Sequence, residues 1–139
     1  MKKLLFSVLS ALAFLLASPG AAEAVSAHEV VSNPIVCTLN ANQTVTCSGS
    51  VAGLGNQAVT VTLDVDFACA TRGNGNQPGG HLQSVSVPIQ PRNGRINFSE
   101  TTGPAVCPPG LNPVVGDTAT VTIKNLAGDV LFTKEVAIT

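Results

Sequence analysis

Thr44-Val45-Thr46-Cys47-Ser48-Gly49-Ser50-Val51, then Ala52-Gly53-Leu54-Gly55-Asn56-Gln57-Ala58, then Val59-Thr60-Val61-Thr62-Leu63-Asp64-Val65-Asp66-Phe67-Ala68-Cys69 is the stretch that decides the fold. Side chains on a strand point alternately to its two faces. In the first segment Val45, Cys47, Gly49 and Val51 share one face, and Thr44, Thr46, Ser48 and Ser50 the other. In the second, Val59, Val61, Leu63, Val65, Phe67 and Cys69 share one face, and Thr60, Thr62, Asp64 and Asp66 the other. A helix would scatter these valines around its circumference, and β-branched side chains are stiff there. The glycines between the segments can take positive φ, so the pair predicts a β-hairpin with one dry face and one wet one.

Outward on the N-terminal side, Ile35, Cys37 and Leu39 share a parity and predict another strand. Four cysteines allow three pairings. Cys37 and Cys47 are symmetric about Asn42, so an antiparallel hairpin puts them opposite one another, which leaves Cys69 for Cys107. No two cysteines are spaced C-x-x-C, which argues against zinc. Residues 25–33, with His28 and Glu29, read as a tail or frayed leader. Before them stand Lys2 and Lys3, an apolar run over residues 4–17, Pro19-Gly20 and Ala22-Glu23-Ala24. This is the pattern of a secretory signal peptide over residues 1–24, with a single domain over 25–139. The apolar run is short for a bilayer, and no other stretch approaches the ~20 residues a span needs.

Export would put the four cysteines in an oxidising compartment, the periplasm, the cell surface or the medium, where two disulfides form. Removing the signal leaves five basic and seven acidic residues, a weakly acidic balance that is no footprint for nucleic acid. The remaining chain is long enough to bury its own core, and a monomer without cofactors is expected. With no Trp or Tyr, that core must be mostly Val, Ile and Leu.

On the C-terminal side, residues 70–80 are rich in Gly, Asn and Pro and read as a surface loop. Val85, Val87 and Ile89 predict an edge strand, because Pro88 cannot donate to a ladder. Gln90-Pro91-Arg92-Asn93-Gly94 is a turn, and Ile96 and Phe98 mark the next strand. Residues 102–117 read as a long irregular connection pinned by Cys107. Ala119, Val121 and Ile123 face inward on a further strand. In the last one Lys134 breaks the parity of Val130, Phe132, Val136 and Ile138, which predicts a bulge or an outward bend. About seven short strands without an amphipathic helix predict an all-β fold, an immunoglobulin-like antiparallel β-sandwich, with a small barrel as the alternative.

Cys47-Ser48-Gly49-Ser50-Val51-Ala52-Gly53-Leu54-Gly55-Asn56, followed by Val59-Thr60-Val61, Cys69 and a Gly/Pro-rich loop, resembles small exported bacterial β-sandwich proteins of unassigned function. The likeness covers about the central half of the mature chain. It implies export and a sandwich, and no activity or site residue.

Chemistry is sparse. Only His28 and His81 remain as imidazoles after the signal. His81 with Asp64 or Asp66 and Ser84 would make a hydrolase triad, but no G-x-S-x-G elbow is present. Asp64 and Asp66 lie ~7 Å apart on one strand face and are the candidate metal ligands, calcium with oxygens from Asn74 or Asn76. No D-x-D-x-D-G loop accompanies them, and a solvated strand face is the simpler reading. Thr60, Thr62, Thr118, Thr120 and Thr122 would form a hydroxyl array if their strands are neighbours. Cys107-Pro108-Pro109-Gly110 has the stiffness of a protease-inhibitor loop, or of a connection stapled only for stability. These residues predict a secreted, non-catalytic binding or structural module with an extracellular or cell-surface partner. A protease inhibitor and a secreted hydrolase are its rivals.

Overall fold

The computed structural model describes residues 26–71 and 76–139. The expected signal segment, and Asn74 of the proposed calcium set, lie outside the described residues. Eight strands follow in order: β1 His28–Glu29, β2 Val36–Leu39, β3 Val45–Ala52, β4 Val59–Ala70, β5 Asn76–Val85, β6 Ile96–Thr101, β7 Asn112–Asn125 and β8 Val130–Ala137. They form two four-stranded antiparallel sheets. In sheet A, β3 has β1 and β2 along one side and β6 along the other. Sheet B runs β5-β4-β7-β8.

The inward faces pack against each other. Sheet A contributes Cys37, Val45, Cys47, Val51, Ile96 and Phe98, and sheet B contributes Val59, Val61, Leu63, Val65, Ala119, Val121 and Ile123, all buried. These are the positions that alternation assigned to the dry face. Burial of such side chains contributes about 1.5–3 kcal/mol each before conformational entropy is counted. Gly49 belongs to this face because Ile35 crosses over it. A Cβ there would come within 2.7 Å of the Ile35 Cα.

The expected hairpin of β3 with β4 does not form. β3 pairs with β1, β2 and β6, whereas β4 pairs with β5 and β7, so residues 53–58 carry the chain from one sheet to the other. Both strands own a fully apolar face, and stacking them across the core buries both faces at once. A hairpin closes instead between β2 and β3, where Cys37 and Cys47 stand opposite in register and are bonded, Cα to Cα 4.1 Å. The second disulfide joins Cys69 to Cys107 with Cα atoms 5.7 Å apart.

Three other expectations change. Asn76 to Gly80, expected in a loop, is the first half of β5. The predicted edge strand over residues 85–89 has its faces reversed: Leu82 and Ser86 are buried, and Val87 is 79% exposed. Ser86 continues the pairing, its amide donating to the Val61 carbonyl and its hydroxyl accepting the Val61 amide. Pairing resumes at Ile89 opposite Val59, leaving Val87 and Pro88 opposite Thr60 as a bulge at the sheet edge. Finally, β7 starts at Asn112, which shortens the irregular connection after β6.

The leader is not a free tail. β1 pairs with β3, and Glu29 binds two partners, the Ile35 amide at 2.5 Å and Lys134 Nζ at 2.5 Å. Lys134 faces inward beside Val121, and this ion pair satisfies it across the open margin between the sheets. An inward charge on an edge strand also discourages edge-to-edge association. The β7–β8 bulge sits elsewhere, where Lys124 pairs with Val130 and Ile123 with Phe132. On the same margin Thr139 stitches the sheets together, its amide donating to the Cys37 carbonyl and its carbonyl accepting the Leu39 amide.

Candidate functional site

The outward face of sheet B is where polar side chains converge. Leu63 and Val65 point into the core, so Asp64 and Asp66 between them point out. β5 lies alongside in register, with His81 opposite Asp66 and Gln83 opposite Asp64. The His81 imidazole Nδ1 is 2.6 Å from Asp66 Oδ1 and 3.1 Å from Asp64 Oδ1. Gln83 Nε2 donates to Asp64 Oδ2 at 3.2 Å, which turns the other oxygen of that carboxylate toward the imidazole.

β7 forms the opposite wall. Thr120 stands across from Asp64, and Glu135 on β8 across from Thr120. The next residues leave the regular ladder: Val65 pairs with Ala119 and Phe67 with Val115, so Gly116, Asp117 and Thr118 bulge opposite Asp66. Gly116 suits this bend because a Cβ there would be 3.0 Å from the Asp66 carbonyl oxygen. The result is a depression of about 540 Å³ lined by Asp64, Asp66, His81, Gly116, Asp117, Thr118, Thr120 and Glu135. Four of these residues are carboxylates, and none is Lys or Arg.

The structure brings together Asp64, Asp66 and His81, and separates the rest of the expected chemistry from them. Ser84 lies opposite inward-facing Leu63 and donates to Glu100 Oε2 at 3.1 Å, so it is on the other side of the sheet from His81. The His81–Ser84 triad is therefore not assembled. The backbone of Asn76 pairs with Ala70, four residues along β4 from Asp66, and its side chain lies outside the described ones. His28 is exposed on sheet A, its Nδ1 2.7 Å from the Ser26 carbonyl oxygen. β4 and β7 are neighbours, so the hydroxyl row exists in part: Thr62, Thr122 and Thr133 lie side by side. Thr60, however, faces Lys124, and Asp64 faces Thr120.

Gln83, Asp117 and Glu135 were not singled out from the sequence. Gln83 shares the parity of His81 and follows once β5 is known to begin before it. Asp117 reaches the site only through the bulge. The connection after β6 is anchored near its middle: the Ala105 amide donates to the Gln43 carbonyl, and Cys107 is bonded to Cys69. Between and beyond these anchors Val106 is 73% exposed, and Pro108, Pro109 and Gly110 are exposed as well.

No family model, curated protein or solved structure matches this chain. Among the described residues no helix is long and apolar enough to cross a membrane.

Proposed function

We propose that this chain is an exported, immunoglobulin-like module that acts by binding, with the outward face of sheet B as its ligand face. Two disulfides support an extracytoplasmic setting. The strand order β2-β3-β6 against β5-β4-β7-β8 supports the immunoglobulin-like reading. The observation that carries the ligand face is the depression lined by His81, four carboxylates and two threonines. The hydrolase reading is weakened because Ser84, the hydroxyl its triad would use, is bonded to Glu100 on the inner side of the sheet.

The test is retention of partners from an envelope fraction by immobilised oxidised protein, compared with a Thr120→Arg variant that fills the depression. Retention by the parent alone is expected. Equal retention by both moves the ligand face elsewhere.

A second reading, protease inhibition, is favoured by one observation: exposed Val106 directly precedes a cysteine tethered to β4, an arrangement that limits the entropy lost on binding. Inhibition of a protease in a broad panel, lost in Val106→Asp, would support it. No inhibition across the panel removes it.

A further inference from the structure

We propose that His81, Asp64 and Asp66 bind a divalent transition-metal ion of the zinc class, a proposal that rests on the ligand-face reading and names what that face holds. The three donor atoms come from two adjacent, registered strands and lie within 4.8 Å of one another. A tetrahedral zinc ion with ligands at about 2.0–2.2 Å has ligand-to-ligand edges of about 3.3–3.6 Å. The imidazole-to-carboxylate separations of 2.6 and 3.1 Å reach that range with side-chain shifts of under about one ångström.

Hydrogen bonding alone serves this arrangement poorly. Nδ1 carries at most one hydrogen, yet Asp64 Oδ1 and Asp66 Oδ1 both converge on it. A single N–H must be shared between two acceptors, whereas a cation would accept a lone pair from all three atoms. The surroundings point the same way, since Asp117 and Glu135 add negative charge and the lining contains no basic side chain but His81.

The donor set selects the class of ion. Calcium prefers six to eight oxygens, but this site offers one imidazole nitrogen and two carboxylates, which suit zinc, copper or nickel. His81 and Asp66 are largely exposed, leaving room for water or a partner's donor to complete the coordination. Gln83 is a positioning residue, because its amide fixes which Asp64 oxygen faces the ion.

The test is calorimetric titration of the oxidised protein with zinc chloride, alongside His81→Gln, Asp66→Asn and, as a control on the β7–β8 turn, Asp129→Asn. One zinc per chain is expected, with at least a tenfold weaker affinity in His81→Gln and Asp66→Asn and no change in the control. Circular dichroism should match across all variants, since the substituted side chains point to solvent. Absence of zinc binding at millimolar metal, or equal binding by all variants, overturns the site. Calcium binding as tight as zinc overturns the class. Zinc failure together with loss of partner retention in Thr120→Arg defeats the metal alone. Zinc binding with retention unaffected by Thr120→Arg supports the metal site and defeats the wider ligand face.

Discussion

β3 and β4 are each an interior strand of a sheet and each carries one buried cysteine, but the two sulfurs do different work. Cys47 bonds straight across to Cys37 on a strand already paired with it, ten positions away. Cys69 bonds to Cys107, 38 positions away, in the connection that leaves β6 in sheet A for β7 in sheet B. One bond fastens a pair that the backbone ladder also holds. The other is the covalent tether of an irregular segment.

That contrast can be broken most directly by removing each bridge. By loop entropy, Cys69→Ala with Cys107→Ala should cost about 4 kcal/mol and Cys37→Ala with Cys47→Ala about 3 kcal/mol, read from urea midpoints. A larger loss from the shorter bridge would mean that its packing in the core outweighs its closure of the chain. Next, Gly49→Ala should cost about 2 kcal/mol by forcing Ile35 off β3, while Ser48→Ala on the outward face stays within about 0.5 kcal/mol. Equal effects would show that the segment over Gly49 yields freely.

The smallest effect lies at the margin. The Lys134 hydrogen bond, helped by the Ile35 amide and by the Lys134 charge and opposed by partial burial, lowers the Glu29 carboxyl below 4.5. A depressed folded-state value means that the pair's stabilisation is present above 4.5 and is lost as pH falls through the lowered value. For a pair this exposed the contribution is below about 1 kcal/mol. Thermal melts between pH 6 and pH 3, chosen to bracket the ordinary carboxylate range of about 4, should therefore fall less steeply in Lys134→Met than in the parent.

The inward residues of β3 and β4, and those of β7 from Thr118 on, were legible because alternation depends only on neighbours two positions apart; the burial of Thr44 and Ser50, expected on a wet face, and the start of β7 at Asn112 were not. Which strand lies beside which was not. Nothing in residues 52–58 distinguishes a turn within a sheet from a crossing between sheets, and the burial of two apolar faces against each other decided it. The segment over residues 84–87 reads the wrong way for a local reason: Ser84 and Ser86 face inward, whereas Val85 and Val87 face outward. The Gly79-Gly80 pair that reads as loop instead admits the Phe67 side chain, whose ring atoms would lie 2.6 Å from a Cβ at Gly79. For the candidate site, Asp64, Asp66 and His81 could be named from the sequence. Their convergence depends on the β4–β5 register, and the arrival of Asp117 depends on a bulge with no sequence signature of its own.

The Cys69–Cys107 bond also bears on how fast the molecule assembles. Ala70 must meet Asn112 to start the long β4–β7 ladder, and in the reduced chain that encounter spans residues 71–111. Once sulfur links 69 to 107, only residues 108–111 intervene, and a distant search becomes a nearly local one. Stopped-flow refolding should then be faster for the oxidised chain than for the reduced one, with the gain concentrated in sheet B.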